Sequence, residues 1–289
     1  MLRKSNGRAG DLVLTLQSSV AFGHVGNAAA AFALQRLGRD VVRIDTVRFS
    51  NHPKHGGYAG GPAAAAEIDA LVEGLAARGL LVHVGAALSG YLGTAENAGA
   101  VARAVESLRA ARPDALYCLD PVIGDRPAGR FVAADVPDAI RTRLLPLADI
   151  LTPNAFELET LTGMTVETAT DAVAAARSLM RSCRATLVVA TGLGGADNVS
   201  TVAATVDGAW RAEAPRVEAP AYGAGDLFGA LFLARILDGD GPDAALGLAA
   251  NAMAAVFAAT RRLGRPELAL VEAQADLADQ PWTITVEEV

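Results

Sequence analysis

The feature of this sequence that most limits its possible folds is a regular alternation of short β-rich runs with longer segments of helical period. Such alternation is typical of βαβ units wound around a largely parallel sheet. We predict strands at residues 11–16, 40–46, 80–85, 115–119, 149–151, 186–190, 200–206 and 209–213. We predict helices at residues 26–37, 63–78, 94–111, 154–161, 167–181, 225–237 and 242–263. The predicted fold class is therefore α/β, with helices on both faces of a mostly parallel sheet.

Length and composition narrow the class of protein further. The chain has 289 residues, of which 52% are hydrophobic and 20% charged, so a disordered protein is excluded. No linker or repeat divides the sequence, and we predict a single domain over residues 1–289 with a flexible leader at residues 1–10. The formal net charge of -7 comes without a basic stripe, which argues against a nucleic-acid partner.

Cysteine usage and apolar runs indicate a cytoplasmic protein. Cys118 and Cys183 lack CxxC spacing and are expected to be reduced thiols. The apolar run at residues 12–16 is too short for a secretory signal. The apolar run at residues 249–260 is shorter than the roughly 20 residues that a membrane span needs. We therefore expect no membrane association.

Polar and glycine residues collect just after the predicted strands. These segments are residues 17–18, 50–52, 89–91, 120–125, 152–157 and 191–195. Open α/β sheets bind ligands outside the carboxyl ends of their strands, so we expect the segments to converge on one edge of the sheet. The alternative is that these residues simply fill surface loops.

The turn Gly223-Ala224-Gly225-Asp226 opens an apolar helix and has the composition of a phosphate site. Its glycines would let backbone N–H groups face an anion, and the helix adds its positive N-terminal end. Asp226 would then accept the proton of a hydroxyl group that attacks a phosphoryl group. The alternative is that Asp226 only caps the helix. The turn thus predicts either a catalytic base or a helix cap.

The segment from Asp120 to Asp125 places two carboxylates around a proline and a glycine. Paired carboxylates suit Mg²⁺, which takes one or two of them together with water and phosphate oxygens. A turn in which both aspartates bind their own backbone is the alternative. The segment predicts a site through which an acidic protein could bind a metal–nucleotide complex.

Two further segments are compatible with nucleotide binding but also have structural explanations. Asn154 and Glu157 form a capping-box pattern, and Glu157 could also act through water or Mg²⁺ on phosphates. Thr191 and Gly192 begin a glycine-rich turn that permits close backbone approach. Neither segment decides between the two interpretations by itself.

Several other kinds of site are absent from the sequence. It contains no GxxxxGK[ST] motif and no GxGxxG after the first predicted strand. The histidines at positions 24, 52, 55 and 83 lack the paired spacing of a zinc site. Walker-type, dinucleotide-binding and zinc sites are therefore not expected.

Taken in order, the motifs closely resemble those of pyridoxal kinases of the ribokinase-like superfamily. The segments that carry the resemblance are residues 16–18, 23–27, 46–52, 88–91, 120–125, 152–157 and 223–226. The Asp-Pro-Val and Gly-x-Gly-Asp elements are shared across the superfamily, whereas residues 23–27 and 49–52 resemble pyridoxal kinases specifically. The resemblance implies a ribokinase-like three-layer sandwich that phosphorylates pyridoxal, pyridoxine or pyridoxamine in vitamin B6 salvage.

The resemblance also implies a role for individual residues. The vitamer is expected to contact Ser18, Val25, Val47, Phe49, His52 and Tyr91, with Asp226 facing its 5′-hydroxymethyl group. ATP and its cations are expected near Asp120, Asp125, Thr152, Asn154, Glu157, Thr191 and Gly192. Mg²⁺ is assigned to Asp120, Asp125 and Glu157, and the anion hole to Gly223, Ala224 and Gly225. The family implies a homodimer and often a monovalent cation such as K⁺.

Two departures from the family pattern affect the expected contacts. Pro53 stands where the family commonly has a threonine that contacts substrate, and proline offers neither a hydroxyl group nor a backbone donor. The chain also lacks a lysine near Thr191 that bacterial relatives tend to carry. The alternatives to a pyridoxal kinase are a hydroxymethylpyrimidine kinase and a non-catalytic pyridoxal-binding protein.

Overall fold

A computed structural model gives the structure of the chain and describes residues 12–278 and 283–289. The predicted leader at residues 1–10 lies outside the described residues, as does Asp11 at the start of the first predicted strand. The described residues form a ten-stranded sheet and a separate two-stranded hairpin. The sheet is parallel through its centre and antiparallel toward both edges.

The strands follow the chain in this order, with their bounds: β1 Leu12–Phe22, β2 Asp40–Asn51, β3 Gly60–Pro62, β4 Val84–Ser89, β5 Leu116–Leu119, β6 Gly124–Asp125, β7 Gly129–Arg130, β8 Ile150–Leu151, β9 Leu187–Leu193, β10 Asn198–Ala204, β11 Ala209–Pro215 and β12 Val286–Glu288. Within the main sheet the spatial order is β12-β11-β10-β9-β8-β5-β4-β1-β2-β3. Strands β6 and β7 form the hairpin.

The helices connect the strands and cover both faces of the sheet. Their bounds are α1 Asn27–Arg36, α2 Ala65–Ala77, α3 Ala95–Ala111, α4 Val136–Ala139, α5 Ala155–Thr162, α6 Ala169–Ser182, α7 Ala224–Asp238 and α8 Pro242–Leu263. Residues of α2 to α6 pack on one face and residues of α1, α7 and α8 on the other. This arrangement confirms the predicted α/β fold with helices on both sides of a mostly parallel sheet.

Each central strand contributes to both cores because successive side chains point to opposite faces. In β5, Tyr117 and Leu119 face the α3 side, whereas Cys118 faces the α7 side. In β9, Val188 and Val189 alternate in the same way. Strands buried on both faces account for the nearly continuous apolar runs in the sequence.

Most element predictions are confirmed, but the strand predicted at residues 80–85 was placed too early. Residues Leu81–His83 form a 3₁₀ helix, and β4 begins only at Val84. The short strands β3, β6, β7 and β12 were not predicted. They have two or three residues each, too few for any hydrophobic period to be visible in the sequence.

Helix α8 is longer than the apolar run that was recognised in the sequence. It spans 22 residues and is, by length and composition alone, apolar enough to cross a membrane. Half of its most apolar window is buried within the protein. Its buried residues, which include Leu246 and Val256, pack into the core beside α7. This is also what a core helix of a globular protein looks like.

Strands β1 and β2 continue well beyond their predicted ends. A bulge at Gln17 and Ser18 shifts their register, after which they remain paired as far as Phe22 and Asn51. Strand β3 pairs with the end of β2 through Phe49. We call residues 49–62 the flap; it includes a 3₁₀ turn at Pro53–His55. Ser18 and Ser50 thus lie within strands, although the sequence suggested that they follow them.

Candidate active site

Hydrogen bonds between neighbouring strand ends bring the predicted polar segments to one edge of the sheet. The N–H of Gly90 donates to Leu16 O at 3.2 Å, and that of Asp120 donates to Ser89 O at 2.9 Å. The N–H of Thr152 donates to Leu119 O at 3.1 Å. The carboxyl ends of β1, β4, β5 and β8 are therefore adjacent, as the rule for ligand sites in open α/β sheets requires.

The chain reaches this edge again at the start of α7. Gly223 is the N-cap residue with φ of 81°, a conformation that favours glycine. A Cβ at Gly223 would lie 2.0 Å from His24 O, so only glycine fits there. The N–H of Ala224 donates to Ala221 O at 3.0 Å. The N–H groups of Gly225 and Asp226 follow in the first turn, where a helix offers no acceptor of its own.

Asp226 lies in that first turn with its carboxylate fixed by one backbone group. The N–H of Gly26 donates to Asp226 Oδ2 at 2.7 Å. Burial raises the pKa of Asp226 to about 6, and the Gly26 hydrogen bond opposes the shift. A carboxylate with a pKa near neutrality is a stronger base than an exposed aspartate while still being ionised at pH 7. Its environment therefore suits a general base.

Asp120 lies close to this turn, since a Cβ at Gly225 would be 3.4 Å from Asp120 Oδ2. The side chain of Asp120 is buried, with 6% of the residue exposed. Burial raises the pKa of Asp120 well above its usual value, and the charges of Glu157 and Asp226 raise it further. Three carboxyl groups therefore lie in one region, where their negative charges repel one another. A bound cation would reduce this repulsion.

Glu157 completes the capping box that was predicted at the start of α5. Its Oε2 accepts from the N–H of Asn154 at 2.9 Å, while Asn154 Oδ1 accepts from the N–H of Glu157 at 3.0 Å. Its Oε1 accepts from the N–H of Ile123 at 2.9 Å. Burial raises the pKa of Glu157 to about 7, and the backbone hydrogen bonds oppose the shift. Glu157 thus joins α5 to the Asp120–Asp125 turn.

The described carboxylates at this edge do not form a metal site from protein ligands alone. Among the described residues, no group of three or more histidine, cysteine, aspartate or glutamate side chains could hold an ion. Two buried oxygens near the turn, Asp125 Oδ1 and Thr152 Oγ1, have no hydrogen-bond partner. Such unpartnered oxygens fit Mg²⁺, which usually keeps water and phosphate among its ligands. The donor set at this edge is therefore compatible with a metal–nucleotide complex.

The remaining residues assigned to the nucleotide lie beside this turn. Asn154 and Thr191 form a parallel bridge, and the N–H of Thr191 donates to Pro153 O at 2.9 Å. Asn154 Nδ2 also donates to Gly124 O at 2.7 Å. Gly192 follows with φ of 71°, in an exposed position. The ends of β8 and β9 therefore continue the site away from Asp226.

Three residues assigned to the vitamer lie on β1, on β2 and in the segment after β4. Ser18 is buried next to Gly26, where a Cβ would lie 2.0 Å from Ser18 O. Phe49 packs against Tyr58 with ring centroids 4.4 Å apart. Tyr91 is half-buried, and burial raises its pKa. Phe49 and Tyr58 thus form an aromatic pair within the flap, and Ser18 is the residue of this group that lies next to the Gly26 bound to Asp226.

Three other residues assigned to the vitamer occupy different positions. Val25 is half-buried in the turn that faces Gly223. Val47 is completely buried beside Gly93, so in this structure it supports the wall of the site from behind. His52 stacks on Tyr222, with ring centroids 4.2 Å apart and an interplanar angle of 15°. His52 therefore joins the flap to the residue that precedes Gly223.

Sequence reasoning missed three residues that contact this site. Tyr222, His55 and Glu267 form contacts among the flap, the Gly23–Gly26 turn and the segment after α8. The only available signal for Tyr222 was its position before Gly223. For Glu267 there was none, because the partner of its hydrogen bond is 243 positions away in the sequence.

Comparisons with known proteins find relatives over most of the chain. A protein-family model described as phosphomethylpyrimidine kinase matches residues 66–269. Pyridoxal kinase PdxY of Rubrobacter xylanophilus is 42% identical, covering 96% of this chain and 97% of that protein. Pyridoxal kinase PdxY of Deinococcus radiodurans is 43% identical, covering 91% and 92%.

A solved structure has the same fold. Pyridoxal kinase from Leishmania donovani in complex with ADP and pyridoxamine superposes with a TM-score of 0.89 at 29% identity, covering 96% of this chain and 99% of that one. The predicted resemblance is thereby confirmed. On its sequence and its fold, the chain belongs to the pyridoxal kinase family.

Proposed function

We propose that this protein is an ATP-dependent kinase that transfers the γ-phosphoryl group of ATP to the 5′-hydroxymethyl group of pyridoxal, giving pyridoxal 5′-phosphate and ADP. Pyridoxine and pyridoxamine are further substrates of the same reaction. The observation that carries the proposal is the placement of Asp226. Its carboxylate lies at the N-terminus of α7, near Asp120 on one side and bound on the other by Gly26, which packs against Ser18.

Asp226 acts as the general base in this proposal. As the 5′-oxygen forms its bond to the γ-phosphorus, the hydroxyl proton passes to the Asp226 carboxylate and the bond to the β-phosphate oxygen breaks. The Gly26 N–H holds Oδ2 at 2.7 Å and so fixes the direction of the carboxylate. The N–H groups of Gly225 and Asp226, in the positive end of α7, face the charge that develops on the transferred group. Gly223 and Ala224 shape the turn that presents them.

Asp120, Asp125 and Glu157 hold Mg²⁺ in this proposal, with Glu157 acting through water because its oxygens already accept backbone N–H groups. When bound, the cation neutralises phosphate charge that this acidic edge would otherwise repel. Thr152, Asn154, Thr191 and Gly192 contact the nucleotide. A monovalent cation such as K⁺ belongs to the same proposal.

The vitamer lies between β1, β2 and the segment after β4. Ser18 binds the pyridine ring side, and Phe49, Tyr91 and Val25 contact the ring, with Val47 behind them and His52 closing the flap. The Pro53 position is exposed at the first residue of the 3₁₀ turn. Because Pro53 has no hydrogen-bond donor, we expect it to change the affinity for the vitamer or the preferred vitamer.

A second candidate reaction is phosphorylation of hydroxymethylpyrimidine, which the description of the matching family model favours. Both substrates present a hydroxymethyl group on a heteroaromatic ring, so the same base would serve either. A pyridoxal-binding protein without kinase activity is a third possibility that the grouped carboxylates disfavour. A pure binder has no evident need for Asp120, Asp125, Glu157 and Asp226 together.

A kinase assay over four substrates separates these candidates. Purified protein with MgATP is offered pyridoxal, pyridoxine, pyridoxamine and hydroxymethylpyrimidine, and ADP formation is coupled to a spectroscopic readout. We expect kcat/KM to be highest for a B6 vitamer. A higher value for hydroxymethylpyrimidine would support the second candidate, and vitamer binding without ADP formation would support the third.

The location and assembly of the protein are part of the same proposal. We expect a cytoplasmic homodimer whose partners are its vitamer and ATP, without nucleic acid or membrane. Size-exclusion chromatography with light scattering tests the dimer. A monomer at working concentration would contradict it.

A further inference from the structure

Glu267 is a buried carboxylate that the proposed reaction does not use. It follows α8 in the chain, and only 6% of the residue is exposed. Burial of an ionised carboxylate is costly unless charged or hydrogen-bonding partners compensate for the lost hydration. Its partners therefore indicate what the residue does.

One carboxylate oxygen of Glu267 binds the turn that carries the hydrogen bond to Asp226. The N–H of His24 donates to Glu267 Oε2 at 3.2 Å. A Cβ at Gly23 would lie 2.6 Å from the same oxygen, so the turn packs directly against the carboxylate. Two residues after His24, the Gly26 N–H donates to Asp226. His24 O also lies against Gly223, and the Glu267 contact is thus connected to both parts of the α7 turn.

The other oxygen of Glu267 faces the flap. His55 Nε2 lies 3.0 Å from Glu267 Oε1. Among the described residues Oε1 is buried and accepts no hydrogen bond of ordinary geometry, so its contact with the imidazole is an ion pair when His55 is protonated. If His55 moved away with an opening flap, the carboxylate oxygen would lose that partner.

Aromatic contacts place the same part of the flap over the α7 turn. His52 stacks on Tyr222, and His55 meets Tyr222 edge to face with centroids 5.9 Å apart. Lys54 Nζ lies 5.7 Å from the centroid of the Tyr222 ring. All three side chains come from one 3₁₀ turn and its N-cap residue. The flap is therefore closed in this structure, and Glu267 and Tyr222 are the residues that it closes upon.

We propose that Glu267 is a positioning residue: its carboxylate joins His55 of the flap to the Gly23–Gly26 turn, so that flap closure and the placement of Asp226 occur together. The catalytic consequence rests on the proposed function, because it concerns the base of that reaction. The contact between His55 and Glu267 is independent of the proposed function. Neither Glu267 nor His55 contacts substrate in the proposed reaction.

The sequence provides a direct probe of flap opening. Lys4 and Lys54 are the only lysines in the chain, and Lys54 lies at the centre of the flap turn. A lysine-specific protease therefore cuts the flap at a single position, and the rate of that cut reports how often the flap opens. The measurement needs neither substrate nor activity.

The variants separate the two arms of the contact. E267A removes both contacts of the carboxylate, the one with the His24 N–H and the one with His55. E267Q keeps an oxygen for the His24 N–H but removes the charge that faces His55. H55A removes only the contact with the flap. E272A is the matched control, since Glu272 lies in the same segment but pairs with Arg265 at the surface. We expect cleavage after Lys54 to accelerate about tenfold in E267A, E267Q and H55A but not in E272A. The double variant E267A/H55A should be cut no faster than E267A.

Kinetics then distinguish positioning of the base from simple loosening of the flap. We expect H55A and E267Q mainly to raise the KM for pyridoxal. E267A should also lower kcat by about tenfold to a hundredfold, because the turn that places the Gly26 N–H against Asp226 loses its hydrogen bond to Glu267. E267Q should thus recover most of the kcat lost in E267A. Equal kcat values for E267A and E272A would overturn the link to Asp226.

Failure of the flap contact and failure of the proposed function give different results. If no vitamer is phosphorylated, the protease comparison without ligand still decides whether Glu267 holds the flap. If E267A does not fold, as judged by circular dichroism, H55A and E267Q decide. Cleavage of those variants at the rate of E272A would overturn the proposal, and faster cleavage would support it.

Discussion

At the scale of single residues, the site depends on carboxylates in an environment that disfavours their charge. Burial raises the pKa of Asp226 to about 6 and that of Glu157 to about 7, and it also raises the pKa of Asp120. Such shifts are common at catalytic sites, since a base must match its working pH. The same shifts imply that the ionised carboxylates lower the free energy of unfolding when no cation or substrate is bound.

Replacement of Asp226 by alanine tests its role as the base. We expect kcat to fall by about 10² to 10⁴ while the affinity for ATP changes little, because the proposed nucleotide contacts are made by the Asp120–Asp125 turn and the ends of β8 and β9. In the unmodified protein kcat/KM should fall as pH drops below about 6, since the base must be ionised. Steady-state kinetics and a pH profile measure both. Normal turnover of D226A would contradict the assignment.

The same shift predicts that Asp226 reduces stability at neutral pH. The folded pKa of about 6 lies above the usual unfolded value near 4, so the folded state binds the proton more tightly and stability falls as pH rises between these values. D226N retains an oxygen for the Gly26 N–H without the charge. We expect it to be about 2 kcal/mol more stable than the unmodified protein at pH 8 and equally stable near pH 4. Urea unfolding at both pH values measures this, and parallel pH curves for the two proteins would refute it.

At the scale of elements, helix termini build the site. Helix α7 presents Asp226 in its first turn, and α5 holds the Asp120–Asp125 turn through its capping box. The N-terminus of each helix depends on a residue whose replacement would move a neighbouring segment. For α7 that residue is Gly223, and for α5 it is Glu157.

The two glycines that flank α7 provide a matched pair of substitutions. Gly223 and Gly239 both have positive φ, 81° and 93°, but a Cβ at Gly223 would meet His24 O, whereas Gly239 has open space. G239A should cost about 1 kcal/mol of stability through backbone strain alone and leave kcat/KM unchanged. G223A should cost more and lower kcat/KM at least a hundredfold, because the turn must move. Similar activity in the two variants would show that the turn tolerates displacement.

Two capping boxes provide a second matched pair. Glu157 is 3% exposed and accepts N–H groups from α5 and from the Asp120–Asp125 turn, whereas Asp171 caps α6 at the surface. We expect E157A to lower the free energy of unfolding by about 3 kcal/mol, since buried N–H groups lose their acceptor. D171A should cost much less, because its capping hydrogen bonds are exposed to solvent. Urea unfolding compares them, and equal effects would indicate that the buried N–H groups find other acceptors.

The elements differ in how far the sequence predicts them. The α7 turn and the α5 capping box depend on residues within four positions of each other, so spacing alone identifies them. The flap was missed because its 3₁₀ turn and β3 have three residues each, too few to show a period in the sequence. Glu267 was missed because its partners, His24 and His55, are close only in the folded chain. Local patterns predict local structure, and long-range contacts need the fold.

At the scale of the whole molecule, the predicted single domain has a consequence for unfolding. The sheet has one core on the side of α3 and another on the side of α7, and proteins of this length often unfold through intermediates. Here, however, β1, β5 and β9 contribute alternate residues to both cores, as Tyr117 and Cys118 show. Neither core can lose its strands while the other remains packed.

We therefore expect equilibrium unfolding in urea to be a single transition. Far-UV circular dichroism reports all the helices. In a W282F variant the fluorescence comes from the partly buried Trp210 alone and reports the edge of the sheet at β11. Because β11 pairs with β10, whose residues Val202 and Ala203 enter the two cores, both signals should share one midpoint. A fluorescence midpoint well below that of circular dichroism would mean that β10, β11 and β12 unfold as a separate unit. That result would divide the molecule at the junction of its parallel and antiparallel strands, and the single-domain prediction would be wrong.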